Sequence, residues 1–211
     1  TITVTDAATL ANANAINNFT TAQVTLQKVE DTVSNITSID GLTTSEVSMA
    51  AAAVTVTDAA TLANANAINN FTTGQVTLQK VEDTVSNITS IDAIDSNEVS
   101  MGAAAITVTN TASLSDATTL NGFTTGKVTL SSVQDTFSNI LSIDSIDSND
   151  VSMGAAAITV TDAVSFFEAT GINGFTTGQI TLQKVEDTVS NITSIDAIDS
   201  NEVSMGAAAI T

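Results

Sequence analysis

The chain has 211 residues; 23 are acidic, four are Lys, and Arg and His are absent, giving a net charge of −19. That balance excludes electrostatic binding of nucleic acid, which needs Lys and Arg against phosphate, and disfavours docking on anionic lipid. Cys is also absent, which removes disulfides, iron–sulfur clusters and thiol chemistry, and no apolar run is long enough for membrane insertion as a helix.

Ile2, Val54, Ile106 and Ile158 each open a copy of one 52-residue sentence, without insertion. The repeats are 2–53, 54–105, 106–157 and 158–209, and residues 210–211 start a fifth. A period of this size signals a solenoid or an array. A site that recurs in every copy is a column rather than one active site. Thr1-Ile2-Thr3 echoes Ala209-Ile210-Thr211, so both ends read as cuts through a longer array. The expected partners are therefore copies of the chain end to end, or further covalent repeats.

The second copy shows the elements in chain order. Val54-Thr55-Val56-Thr57 alternates apolar and polar and predicts a strand with Val54 and Val56 facing in. Asp58 stands at a natural N-cap position. Leu62, Ala65, Ile68 and Phe71, spaced by three, predict a short helix packed on one side. Gly74 fits the left-handed residue that ends a helix, although the first copy has Ala22 there. Gln75–Gln79, with an extension towards Val81, predicts a second strand. Asp83-Thr84 caps a second helix with Val85, Ile88, Ile91 and Ile94 on its apolar face. Val99-Ser100-Met101 predicts a third short strand, and Gly102–Ala105 turns into the next copy.

Each copy thus holds two strand–helix halves. The fold class that follows is an α/β solenoid of right-handed, stacked strand–helix coils with a 52-residue repeat. The alternative is a mostly-β solenoid with short helical turns. Strands stack roughly 4.8 Å apart and helices roughly 8–10 Å apart, so a third strand in the same sheet would bring the two layers closer to a match.

Ile158-Thr-Val-Thr-Asp162-Ala163 and Val81-Glu-Asp83-Thr84-Val85-Ser86-Asn87-Ile88 resemble repeats in very large secreted or surface proteins of cyanobacteria and proteobacteria. Those repeats carry a Val-x-Asp-Thr-Ala-x-Asn-Ile type motif at a strand-to-helix junction. The resemblance implies an adhesin-like or surface-layer-like α/β solenoid, extracellular or at the cell surface, and no catalytic residues. The third copy departs from it at Asn110 and Leu141.

Three recurring features are candidate sites. Asp92, Asp95, Asn97 and Glu98 cluster in an acidic loop, matched by Asp144, Asp147, Asn149, Asp150 and by Asp196, Asp199, Asn201, Glu202. Calcium takes several hard oxygens from carboxylates and amides, so these residues are the candidate calcium ligands, against a plain solvated loop. The spacing is not that of an EF-hand. Asp31, Asp83, Asp135 and Asp187, with Asn35, Asn87, Asn139 and Asn191, recur in every copy. Helix capping and an internal asparagine ladder explain them better than acid–base catalysis does. Thr3/Thr5, Thr55/Thr57, Thr107/Thr109 and Thr159/Thr161 would stack into a flat threonine array, the pattern of ice-binding β-solenoids. The expectation is a structural repeat protein, not an enzyme, that forms a filament, stalk or surface layer. A calcium-dependent adhesin and an ice-binding array are the alternatives.

Overall fold

The computed structural model describes residues 1–42, 46–198 and 202–211. Contacts divide the chain into two units, Thr1–Ile106 and Thr107–Thr211. The first unit runs β1 (Ile2–Ala8), α1 (Leu10–Asn18), β2 (Val24–Asp31), α2 (Val33–Asp40), β3 (Val47–Ser48), β4 (Ala53–Ala60), α3 (Leu62–Phe71), β5 (Val76–Asp83), α4 (Val85–Asp92) and β6 (Val99–Ser100). Strand β7 (Ala105–Ala112) spans the division. The second unit continues with α5 (Leu114–Phe123), β8 (Val128–Asp135), α6 (Phe137–Asp144), β9 (Val151–Ser152), β10 (Ala157–Val164), α7 (Phe166–Ile172), β11 (Ile180–Val185), α8 (Val189–Asp196), β12 (Val203–Ser204) and β13 (Ala209–Ile210).

Each unit is an α/β fold in which a parallel sheet alternates with helices. The first has the strand order β1-β2-β4-β5, with β3 on β2 and β6 on β5. In the second, β8, β10 and β11 are neighbours, β9 pairs β8, and β12 and β13 pair β11. The helices are seven to ten residues long. They replace the mere helical turns of the mostly-β alternative, because each has a complete N-terminal cap and an apolar stripe.

The third strand joins the same sheet, but not as an extra layer. Val24 and Thr25 of β2 pair with Val47 and Ser48 of β3, whereas Lys28–Asp31 of β2 pair with Ala53–Val56 of β4. Both strands lie on the edge of β2 opposite β1, so β3 and β4 are consecutive pieces of one strand position. Within the unit, one copy therefore advances the sheet by two positions rather than three. The strand–helix mismatch is eased by small side chains instead: Ala13 and Ala65 on the first helix of each copy are completely buried.

The period of two puts Val54 and Val56 of β4 and Val76 and Leu78 of β5 in the core, and beyond the slip in their pairing Ala60 and Val81 are buried as well. Helices α3 and α4 cover them with Ala65, Ile68, Ile88 and Ile91, all buried. Fully burying such a Val, Leu or Ile contributes about 1.5–3 kcal/mol. The pairing of β4 with β5 slips between Val56 and Ala59, so Thr57 and Asp58 oppose a single residue. This bulge bends the strand and re-aims Asp58.

Candidate functional site: an aspartate column at the helix N-termini

Asp58 does not cap the helix that follows it. It lies inside β4, and the N-cap of α3 is Thr61, whose hydroxyl accepts from the Asn64 amide while the Asn64 side chain accepts from the Thr61 amide. The bulge turns Asp58 back to the preceding copy, where its Oδ1 accepts from the Val33 amide, the first residue of α2, at 2.8 Å. In the second unit Asp162 accepts from Phe137 of α6 at the same distance.

Asp31 joins two helices. Its Oδ2 accepts from the Leu10 amide at the start of α1, at 2.9 Å. Its Oδ1 accepts from the Thr32 amide at 2.9 Å and from Asn35 Nδ2 at 2.8 Å, both at the start of α2. Asp83 repeats the set with Leu62, Thr84 and Asn87. Asp135 repeats it with Leu114, Thr136 and Asn139, and Asp187 with Phe166, Thr188 and Asn191. The N-cap residues proper are Thr32, Thr84, Thr136 and Thr188. The expected asparagine ladder is therefore corrected: each Asn amide bonds to the Asp of its own copy, four residues back. A carboxylate outcompetes a neighbouring amide for an N–H donor, because a charge-assisted hydrogen bond is about twice as strong.

Physically, the arrangement gathers the positive ends of helix dipoles around carboxylates. At Asp31, Asp83 and Asp135 burial pushes the carboxyl up, but the helix-start amide, the Asn side chain and the Thr amide outweigh it, so the net shift is downward. At Asp187 the bonds from Phe166, Asn191 and Thr188 lower it. These carboxylates are held ionised and have both oxygens occupied, which suits a cap and not a proton donor.

A second recurring contact escaped the sequence reading. Thr72 is 7 % exposed; its hydroxyl donates to the Ala52 carbonyl at 2.6 Å and accepts from the Gly74 amide at 2.9 Å. Thr176 does the same with Ala156 and Gly178 at 2.7 and 2.8 Å. The recurring Thr-Thr-Gly was the available signal. Gly74 has no left-handed backbone; no glycine of the described residues has a positive φ. It is needed for space, since a Cβ there would lie 2.2 Å from the Ala52 oxygen.

The acidic loop is tied by hydrogen bonds from nearby asparagines. Asp95 Oδ1 accepts from the Asn97 amide and from Asn97 Nδ2, and Asp147 does so from Asn149. Glu98 Oε2 takes Asn69 Nδ2 at 3.3 Å and Glu202 takes Asn173 at 3.4 Å. Asp92, Asp144, Asp150 and Asp196 are exposed. Asp199 and Asn201 lie outside the described residues. Among the described residues no three Asp, Glu, His or Cys side chains converge as a metal-holding group.

The threonine rows are interrupted. Thr55 pairs with Thr77 on one side but with Glu30 on the other, and Thr159 lies between Thr181 and Gln134. Among the described residues no helix is long and apolar enough to cross a membrane. Compared with protein-family models, curated proteins and solved structures, the chain matches none.

Proposed function

We propose that the chain is a segment of a structural, extracellular repeat protein whose coils stack as a right-handed α/β solenoid and build a filament, stalk or surface layer. The observation that carries this reading is where the recurring polar groups are spent. Asp58 caps a helix of the preceding copy, Thr72 holds the preceding copy's Ala52 carbonyl, and Asp31 binds two helices of its own copy. No buried side-chain nitrogen or oxygen among the described residues lacks a partner. The column is thus consumed in joining coils, which is the chemistry of a scaffold. The acidic coat and the resemblance to large bacterial surface repeats support an exposed location, where like charge keeps rods apart.

Tandem duplication of residues 54–209 tests the reading. Two strand positions per copy predict that the particle lengthens by about 10 Å for each added repeat, since strands lie about 4.8 Å apart. Electron micrographs or small-angle scattering of arrays of increasing copy number measure this directly. A maximum dimension that fails to grow in proportion to copy number would sink the solenoid.

A further inference from the structure

We propose that Asn173 is a site of spontaneous chemical modification, where water converts the side-chain amide to a carboxylate through a cyclic imide. The chain has two Asn-Gly pairs, Asn121-Gly122 and Asn173-Gly174, and both are followed by Phe-Thr-Thr-Gly. The first two copies have Asn17-Asn18 and Asn69-Asn70 at the same place. In an Asn-Gly pair the glycine's backbone nitrogen reaches the Asn Cγ readily, because no Cβ crowds the approach and the glycine backbone turns freely. The nitrogen–Cγ bond forms and the Cγ–Nδ2 bond breaks. The amide group leaves as ammonia, carrying the glycine's proton, and a five-membered imide remains. Water then opens either carbonyl of the ring and leaves aspartate or its β-linked isomer. The sequence of steps consumes water alone and needs no oxidant or reductant.

The two pairs are alike in sequence and differ in backbone. Asn121 and Gly122 lie inside α5, which runs to Phe123. Helix α7 stops at Ile172, so Asn173 and Gly174 stand in the turn that follows. The cause is Gly171, which stands where the other copies have Ala15, Ala67 and Thr119. Glycine is the poorest helix former after proline, and the end of the helix is lost with it. Ring closure requires the Gly174 amide to swing out of helical geometry. It is held there by a turn bond to the Gly171 carbonyl at 3.2 Å, and short turns of this kind open more readily than helix interiors. The amide lost in the reaction is the one whose Nδ2 donates to Glu202 Oε2 at 3.4 Å. The product therefore sets two carboxylates against each other where a donor met an acceptor.

Neither glycine of this turn is needed for space. A Cβ at Gly171 would meet nothing within 4 Å, and one at Gly174 would lie 3.4 Å from the Gly171 oxygen. At Gly178, by contrast, a Cβ would stand 2.3 Å from the Ala156 oxygen. Neither Gly171 nor Gly174 has a positive φ. Alanine at either position is therefore compatible with the fold. The inference goes beyond the structural reading and does not depend on it, because it concerns the chemistry of one turn.

Ageing of the full chain at mildly alkaline pH and body temperature, followed by tryptic peptide mass spectrometry with assay of β-linked aspartate, decides it. Lys127 lies between the two pairs, so each is read on its own peptide. The expected result is that Asn173 converts about fivefold or more faster than Asn121, the worth of roughly one net backbone hydrogen bond. In the chain unfolded by urea the two should convert at equal rates, which separates the fold from the shared sequence. Gly174→Ala should suppress conversion at Asn173. Gly171→Ala, which restores the helix, should slow Asn173 to the rate of Asn121. The proposal is overturned if Asn173 in the folded chain converts no faster than Asn121, or if Gly171→Ala leaves its rate unchanged.

Discussion

Replacing Asp83 removes three hydrogen bonds at the starts of two helices at once, while the N-cap residues Thr61 and Thr84 stay in place. In Asp83→Ala the Leu62 amide of α3 and the Thr84 amide and Asn87 side chain of α4 all lose their acceptor. Losing a side-chain acceptor at a helix start costs about 0.5–2 kcal/mol, so its loss at two helix starts costs about 2–3 kcal/mol in this half-buried position. Asp83→Asn separates the contributions. Its Oδ1 can still accept from Thr84 and Asn87, but its NH2 then faces the Leu62 N–H, leaving one donor unmet, at a cost of about 1–2 kcal/mol. Asn87→Ala removes a single bond and costs about 1 kcal/mol or less. Urea unfolding followed by far-ultraviolet circular dichroism is the assay, since the chain has no Trp or Tyr for fluorescence. Midpoint and slope are both needed, because stacked coils can unfold in parts. The expected order of stability is wild type, Asn87→Ala, Asp83→Asn, Asp83→Ala. An alanine variant within about 0.5 kcal/mol of wild type, the range of inert surface changes, would refute the capping argument.

The same aspartates set a pH dependence. The folded carboxyls of Asp31, Asp83 and Asp135 lie below their ordinary value of 3.8, so their stabilisation is complete above that value and fades as pH falls through the folded ones. The deficit of Asp83→Asn in a thermal melt should therefore shrink in strong acid. Asp40, Asp92 and Asp144 are exposed as residues, but partial desolvation of their carboxyls pushes them up, so their contribution favours the fold at low pH and is lost as pH rises through the folded values. Asp92 also ends α4, at the negative pole of the helix; Asp92→Asn should raise stability near neutral pH by about 0.3–1 kcal/mol and leave it unchanged below pH 3. Thr72→Val should cost about 1–3 kcal/mol by stranding the Ala52 carbonyl and the Gly74 amide, whereas Thr20→Val, with no carbonyl to hold, should cost under about 0.5 kcal/mol. Equal effects would contradict the inter-coil role. A melt in EDTA should match one in calcium; a large calcium-dependent rise would restore the acidic loop as a ligand set.

Much was legible in the residues themselves. The 52-residue period, the strand at Val54–Thr57, the helix through Leu62, Ala65, Ile68 and Phe71, and the cap-bearing Asp83-Thr84 follow from hydrophobic periodicity and short-range capping chemistry. Both are local, so the chain carries them in plain order. The aspartates are visible as a recurrence, but the partner of each Asn is not, because the choice between Asn and Asp acceptors depends on where side chains meet.

What only the tertiary structure decided concerns contacts between coils. Asp58 looked like a cap for the next helix and serves the previous one, because a bulge of one residue re-aims it across 25 positions of sequence. Gly74 looked like a left-handed turn and is a spacer against Ala52. The strand at Val99–Ser100 takes no layer of its own, because its counterpart Val47–Ser48 shares one edge of β2 with the next copy's first strand. Periodicity reports which side of an element is buried; it is silent on which neighbour buries it. For a repeat chain that neighbour is another copy of the same sentence, and the recurring Thr-Thr-Gly acquires meaning only when the copies are laid against each other.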